Sequence, residues 1–97
     1  MNKPKVYIAG KISGDPNYKE KFERAQKALE AEGYIVLNPA TLPAGMEAAD
    51  YMKICFTMID VADVVAFISD FAESCGAMLE LEYCRYINKQ AFMIQKG

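Results

Sequence analysis

The fold of this chain is indicated by two consecutive segments, DVVAFI at residues 63–68 and SCGAMLE at residues 74–80. The first is an uninterrupted apolar run, typical of a strand buried on both faces of a parallel sheet. The second opens a predicted helix that runs to about Asn88, with Ser74 as its N-cap. Backbone N–H groups at such a helix start are free to bind an anion. Glu80 can lean back toward them, because helical side chains tilt toward the N-terminus. This combination favours sugar-phosphate chemistry.

Outward from these segments, strand and helix patterns alternate along the chain. Strands are predicted at residues 5–10, 34–39, 63–68 and 91–94, and helices at residues 18–32, 47–61 and 74–88. Asp15 is expected to cap the first helix with Pro16 at its first position, and Gly33 is expected to end it. The order β-α-β-α-β-α-β predicts an α/β fold: a three-layer α/β/α sandwich around a small parallel, Rossmann-like or flavodoxin-like sheet in the order 2-1-3-4.

Polar and glycine-rich loops follow the first three predicted strands, at residues 10–17, 38–46 and 69–76. Ligands bind beyond the carboxyl ends of the strands in open parallel sheets, so these loops are expected to form a binding site. The candidate residues that they collect are Lys11, Ser13, Gly14, Asn38, Asp70 and Ser74.

Length, charge and composition narrow the classes of function. The 97 residues are expected to form a single domain, residues 1–97, of which residues 95–97 are a short tail. A net charge of −2 gives no reason to expect a nucleic acid polymer or a membrane surface as partner, and Met1–Pro4 leads into a strand instead of a signal peptide. With three cysteines and no histidine, a disulfide framework or a metal site is not expected, and a reducing cytoplasm fits best.

Three motifs resemble the nucleoside 2-deoxyribosyltransferase superfamily. They are YIAGKISG at residues 7–14, ADVV at residues 62–65 and the Ser74-x-Gly76-x-x-x-Glu80 element, with an Asn-Pro pair after the second strand. The chain looks most like a short branch of the superfamily that is related to 2-deoxynucleoside 5-monophosphate N-glycosidases. The resemblance implies cleavage or exchange of the N-glycosidic bond of a 2-deoxynucleoside or its 5-monophosphate, through a glycosyl-enzyme intermediate and without a cofactor.

The same resemblance implies a role for individual residues. Glu80 matches the nucleophile, and Tyr7 matches the tyrosine that hydrogen-bonds the nucleophile or the sugar. Ser74 is a neutral residue beside a helix N-terminus, so its position tolerates a phosphate that an aspartate there would repel. The remaining residues implied to line the substrate pocket are Gly10, Lys11, Ile12, Ser13, Gly14 and Gly76.

One position departs from the superfamily pattern. Members usually carry an aspartate eight residues before the aspartate of the ADVV motif, where it assists protonation of the leaving base. In this chain that position is Cys55, and a thiol in an apolar helix stripe is a poor proton donor. Asp70 or Glu73 could approach from the neighbouring loop instead. Without a general acid, the expected loss of rate is on the order of 10²–10⁴.

Each candidate residue also has a purely structural interpretation. Glu80 could be a solvated helix carboxylate, Tyr7 a core tyrosine, Lys11 a solvated loop lysine, and Gly10 and Gly14 turn residues. Three hypotheses therefore stay open: a glycosyl-transfer enzyme, a catalytically weak nucleotide-binding protein that acts as a sensor or sequesters its ligand, and an oligomeric protein with no ligand. The resemblance, together with the exposed edges of so small a sheet, leads us to expect a homo-oligomer, a dimer or larger.

Overall fold

The computed structural model describes residues 3–94, in which a parallel sheet lies between two layers of helices. The strands are β1 (Lys5–Ala9), β2 (Ile35–Leu37), β3 (Val64–Phe67) and β4 (Ala91–Met93); the helices are α1 (Tyr18–Ala31), α2 (Ala48–Val61) and α3 (Cys75–Tyr86). The sheet order is β2-β1-β3-β4, and each neighbouring pair is parallel. The predicted fold class, element order and strand order are confirmed.

The two central strands separate two apolar clusters because successive side chains of a strand point to opposite faces. On one face, Val6 and Ile8 of β1 pack in a cluster with Phe22 and Leu29 of α1. On the other face, Tyr7 and Ala9 pack in a cluster with residues of α2 and α3, including Cys55, Ile59 and Cys84. The side chains of Val65, Ala66 and Phe67 are all buried, as the apolar run of β3 predicts.

The ends of α1 differ from the prediction at one terminus and agree at the other. The helix begins at Tyr18, and the predicted cap at Asp15 is wrong: the Asp15 carboxylate accepts a hydrogen bond from Asn17 N and pairs with Lys21. Gly33 follows the C-cap and has a left-handed φ of +97°. The amides of Gly33 and Tyr34 bond back to the carbonyls of Glu30 and Leu29, which is the Schellman arrangement.

Two predicted loops contain a short 3₁₀ turn, at Pro39–Thr41 and Phe71–Glu73. The first turn forms because the Asn38 side chain accepts a hydrogen bond from Ala40 N and Pro39 occupies its first position. The predicted tail at residues 95–97 and the first two residues lie outside the described range. Between residues 3 and 94, no helix is long and apolar enough to cross a membrane.

Candidate active site

A buried carboxylate–phenol pair lies where β1 and α3 meet. Glu80 is on the inward face of α3, between Ala77 one turn earlier and Cys84 one turn later, and only 6% of Glu80 is exposed. Tyr7 points from β1 to the same side of the sheet, and its hydroxyl donates a hydrogen bond of 2.7 Å to Glu80 Oε2. The Glu80 carboxylate is therefore not solvated, and its orientation is set by a core tyrosine.

Burial changes the protonation of this pair. Loss of solvation raises the pKa of Glu80 from 4.5 to about 7, although hydrogen bonds from Tyr7 and Cys55 act in the opposite direction. Burial, followed by the charge of Glu80, raises the pKa of Tyr7 well above its usual range. At neutral pH the Tyr7 hydroxyl stays protonated and the Glu80 carboxyl titrates. The site thus holds a carboxylate that changes charge near physiological pH.

Glu80 and Tyr7 form part of the wall of a cavity of about 600 Å³, a size suited to a small molecule. The loop after β1 contributes Gly10, Ile12 and Ser13, and the start of α3 contributes Ser74, Cys75 and Gly76. The rest of the wall consists of the segment after β2 and the first turns of α2, including Leu42, Met46, Tyr51, Met52 and Cys55. The cavity lies at the carboxyl ends of the strands, the usual place for a ligand in such a sheet.

The cavity wall brings together seven of the residues that the sequence marks as candidates: Tyr7, Gly10, Ile12, Ser13, Ser74, Gly76 and Glu80. Four others, Lys11, Gly14, Asn38 and Asp70, lie outside that wall. Asn38 is buried, and its side chain bonds to Ala40 N and to Gln26. Gly14 has a left-handed φ of +80°, so the turn itself requires a glycine there.

Asp70 instead helps to join two of the loops that border the cavity. Its carboxylate accepts a hydrogen bond from Lys11 N at 3.1 Å and pairs with Lys21. The Lys21 ammonium also donates to the Lys11 carbonyl at 2.8 Å and pairs with Asp15. This Lys21 cluster holds the loop after β1 against the loop after β3, so Asp70 does not reach the cavity as a proton donor.

The start of α3 presents a small-residue surface to the cavity. Ser74 caps the helix, as predicted, and accepts a hydrogen bond from Ala77 N at 3.1 Å. A methyl group on Gly76 would meet Met52 Sδ and Ser74 Oγ at 3.8 Å, which is ordinary contact, so packing alone does not demand a glycine. Among residues 3–94, no group of three or more cysteine or acidic side chains is placed to hold a metal ion.

Sequence reasoning missed several wall residues, notably Tyr18, Tyr51 and Met52. Tyr18 begins the predicted helix at residues 18–32, and Tyr51 belongs to the apolar stripe that predicts packing of α2. Each lies in the first two turns of a helix that follows a strand's carboxyl-end loop. That position along the chain is the signal that could have found them.

A family model described as a domain of unknown function (DUF4406) matches residues 4–93. The chain belongs to the DUF4406 family. No curated protein sequence matches this DUF4406 chain.

Two solved structures share its fold. A 2-deoxyribosyltransferase from Leishmania mexicana superposes with a TM-score of 0.74 at 19% identity, covering 94% of this chain and 63% of that one. A 2-deoxyribosyltransferase from the psychrotolerant bacterium Bacillus psychrosaccharolyticus gives a TM-score of 0.71 at 20% identity, covering 92% of this chain and 70% of that one. The DUF4406 chain thus has the fold of these transferases and spans less than two thirds of the first.

Proposed function

We propose that this DUF4406 protein cleaves or exchanges the N-glycosidic bond of a 2-deoxynucleoside or its 5-monophosphate, with Glu80 as nucleophile and Tyr7 as its orienting partner. The observation that carries the proposal is the hydrogen bond of 2.7 Å between Tyr7 and a carboxylate that is 6% exposed yet forms part of a cavity wall. A solvated or core-filling glutamate would need neither the cavity nor the phenol. The two transferases with the same fold add support.

In the first proposed step, the ionised Glu80 carboxylate attacks the anomeric carbon from the face opposite the base. A carbon–oxygen bond forms to Glu80 while the carbon–nitrogen bond breaks. The electron pair of the broken bond leaves with the base, and a base that was neutral in the nucleoside takes up one proton from water. Tyr7 holds the carboxylate in line through its hydrogen bond. Developing positive charge on the sugar is stabilised by the adjacent carboxylate, the electrostatic contribution that a preorganised site supplies.

In the second step, water or another base attacks the same carbon and displaces Glu80, which recovers its electron pair and its charge. The attacking group loses a proton to solvent. Two displacements retain the configuration at the anomeric carbon. No bound group other than substrate enters either step.

Ser74 motivates the proposal that a 5-monophosphate is accepted, as in the 5-monophosphate N-glycosidases to which the short branch that the chain resembles is related. Its hydroxyl lies in the cavity wall at the start of α3, where the first backbone N–H groups have no partner within the helix. Dipole and N–H groups there favour an anion. We also propose a homo-oligomer, because Leu79 and Tyr86 of α3 are 55% and 89% exposed.

Cys55 supports a second candidate function, a nucleotide-binding protein with little turnover. Its thiol lies in the cavity wall beside Glu80 and Tyr7, and burial raises the pKa of Cys55 to about 11. Such a thiol protonates a departing base poorly. This second candidate predicts that deoxynucleotides stabilise the protein thermally without being consumed.

To test the proposed function, a panel of 2-deoxynucleosides and their 5-monophosphates is incubated with the protein at high concentration. Released free base is measured by chromatography. We expect release by the wild type and loss of release by Glu80→Gln, which keeps the shape of the side chain. Glu82→Gln is the matched control, because Glu82 is an exposed carboxylate on the same helix. Absence of release from every member of the panel, or equal release by Glu80→Gln, would refute the proposal.

A further inference from the structure

We propose that the site prefers nucleosides whose base already carries a positive charge, such as an N-alkylated purine or a pyridinium. This inference rests on the proposed function and names the class of substrate that the same cavity takes. Three observations support it: the ionisable side chains of the wall are acids, Glu80 has no cationic partner, and the hydroxyl groups of Tyr7 and Tyr51 already donate hydrogen bonds within the protein.

The ionisable side chains of the wall are acids. Two are carboxylates, Glu73 and Glu80; the others are three phenols and two thiols, namely Tyr7, Tyr18, Tyr51, Cys55 and Cys75. Carboxylates are negative when ionised, whereas phenols and thiols are neutral near pH 7. When Glu80 is ionised, the part of the cavity around Glu80 therefore carries negative charge.

Glu73 and Glu80 differ in whether a positively charged side chain lies close to the carboxylate. Glu73 is exposed and has Lys11 Nζ at 3.8 Å from its Oε1. Glu80 is buried, and within residues 3–94 no basic side chain lies at ion-pair distance from it; its polar partners are the neutral Tyr7 hydroxyl and Cys55 thiol. A buried carboxylate without a cation is costly, and a cationic ligand in the cavity would offset that cost. Tyrosine rings in the same wall add surfaces that attract cations.

The hydroxyl groups of Tyr7 and Tyr51 and the thiol of Cys55 are poorly placed to protonate a neutral base. The Tyr7 hydroxyl donates to Glu80, and the Tyr51 hydroxyl donates to the Pro43 carbonyl. The Cys55 thiol is held protonated by burial, with its pKa raised to about 11. A neutral base must take up a proton as the carbon–nitrogen bond breaks, and these groups give one up reluctantly.

A cationic base needs no proton. When Glu80 forms its bond to the anomeric carbon, the electron pair of the breaking bond neutralises the charged nitrogen and the base departs neutral. Water then displaces Glu80 and releases one proton to solvent. The overall reaction of the cationic nucleoside with water gives the free sugar, the neutral base and one proton, so atoms and charge balance without an acid from the protein.

The test compares 2-deoxyguanosine with its N7-methylated form, which have the same sugar and nearly the same base. We expect wild-type kcat/KM, corrected for spontaneous cleavage, to be at least about 10²-fold higher for the methylated substrate, the size of the contribution from a missing acid. Cys55→Asp places a carboxylic acid in the wall and should raise kcat/KM for the neutral substrate alone. Cys55→Asn, which has the same shape and no acid, should leave the ratio of the two substrates as it is in the wild type.

A binding measurement covers the case in which Cys55→Asp does not fold. Nicotinamide riboside and its reduced dihydro form have similar shapes, but only the former is a cation. Above the pKa of Glu80, we expect the cation to bind the wild type at least about tenfold more tightly, and we expect Glu80→Gln to lose that difference because its side chain is neutral.

The outcomes separate this inference from the proposed function. Equal kcat/KM for the neutral and methylated substrates, an equal gain for both in Cys55→Asp, or equal affinity for the two ribosides would overturn the preference for a cation while leaving glycosidic cleavage in place. Absence of Glu80-dependent cleavage of both substrates and of every other member of the panel would instead overturn the proposed function, and the riboside affinities would still decide the charge preference.

Discussion

Replacing Glu80 by glutamine is expected to make the protein more stable at alkaline pH while abolishing the proposed release of base. The pKa of the Glu80 carboxyl is raised by burial from 4.5 to about 7. Between those values the folded protein binds more protons at this group than the unfolded chain does. The free energy of unfolding therefore falls as pH rises through this interval, and the stabilising contribution is fully present only below the unfolded pKa.

The magnitude follows from the shift. One pKa unit corresponds to about 1.4 kcal/mol, so Glu80 removes about 3 kcal/mol of stability between roughly pH 4 and pH 8.5. Glutamine does not titrate and escapes this loss. In Glu80→Gln the amide oxygen of the new side chain can still accept the hydrogen bond from Tyr7, so the packing changes little.

The assay is urea unfolding of wild type and Glu80→Gln at about pH 4 and at about pH 8.5. The quantity of interest is the change in the stability difference between the two proteins from about pH 4 to about pH 8.5, because any fixed effect of the substitution cancels. We expect it to be about 2–3 kcal/mol in favour of the variant. Glu82→Gln removes an exposed carboxylate of the same helix and should show less than about 0.5 kcal/mol. A pH-independent stability difference for Glu80→Gln would refute the assignment of Glu80 as a buried, uncompensated carboxyl.

Four further predictions concern the neighbours of Glu80 and the loops. As the proposed nucleophile, Glu80 must be ionised, so wild-type kcat/KM for base release should rise with pH to a plateau above about 7, the pKa of Glu80; a limb that falls through this range would contradict that proposed role. Tyr7→Phe removes a hydrogen bond that lowers the pKa of Glu80, so the rising limb should move to higher pH, and urea unfolding should show a loss of about 1–3 kcal/mol. Gly10→Ala would place a methyl carbon 3.0 Å from Ile68 Cβ and should lower stability by about 1–3 kcal/mol. Gly76→Ala, with neighbours at 3.8 Å, should instead stabilise α3 by about 0.5–1 kcal/mol. Equal effects of the two substitutions in thermal unfolding would contradict this contrast. Lys21→Met leaves Asp15 and Asp70 without their shared cation, so the free energy of unfolding should fall by about 1–3 kcal/mol and amide exchange at residues 10–17 should become faster. The control Lys27→Met, at an exposed pair with Glu23, should change stability by less than about 0.5 kcal/mol.

The fold could be predicted because its signals are local. The apolar run of β3 and the alternation of strands with amphipathic helices determine a parallel sheet. The glycine at position 33 marked the end of α1 because only a left-handed residue completes that turn. Asp15 failed as a cap because its carboxylate pairs with Lys21.

The site was harder to predict because its geometry depends on contacts between distant parts of the chain. Tyr7 and Glu80 are 73 residues apart, and no local pattern shows that they meet. Asp70 looked available as a loop carboxylate, but Lys21, 49 residues earlier, pairs with it. Tyr51 and Met52 looked like packing residues, because an apolar stripe that packs against a sheet and one that lines a cavity have the same helical period.

The proposed covalent bond between Glu80 and the sugar is tested most decisively by trapping it. The wild type is quenched rapidly with acid during turnover of N7-methylated 2-deoxyguanosine, and its peptides are analysed by mass spectrometry. We predict the mass of one 2-deoxyribosyl group on the peptide that contains Glu80, with fragment ions that place it on that side chain, and no such mass in Glu80→Gln. A sugar adduct on a different residue, or turnover that persists in Glu80→Gln, would contradict the role of Glu80 as nucleophile.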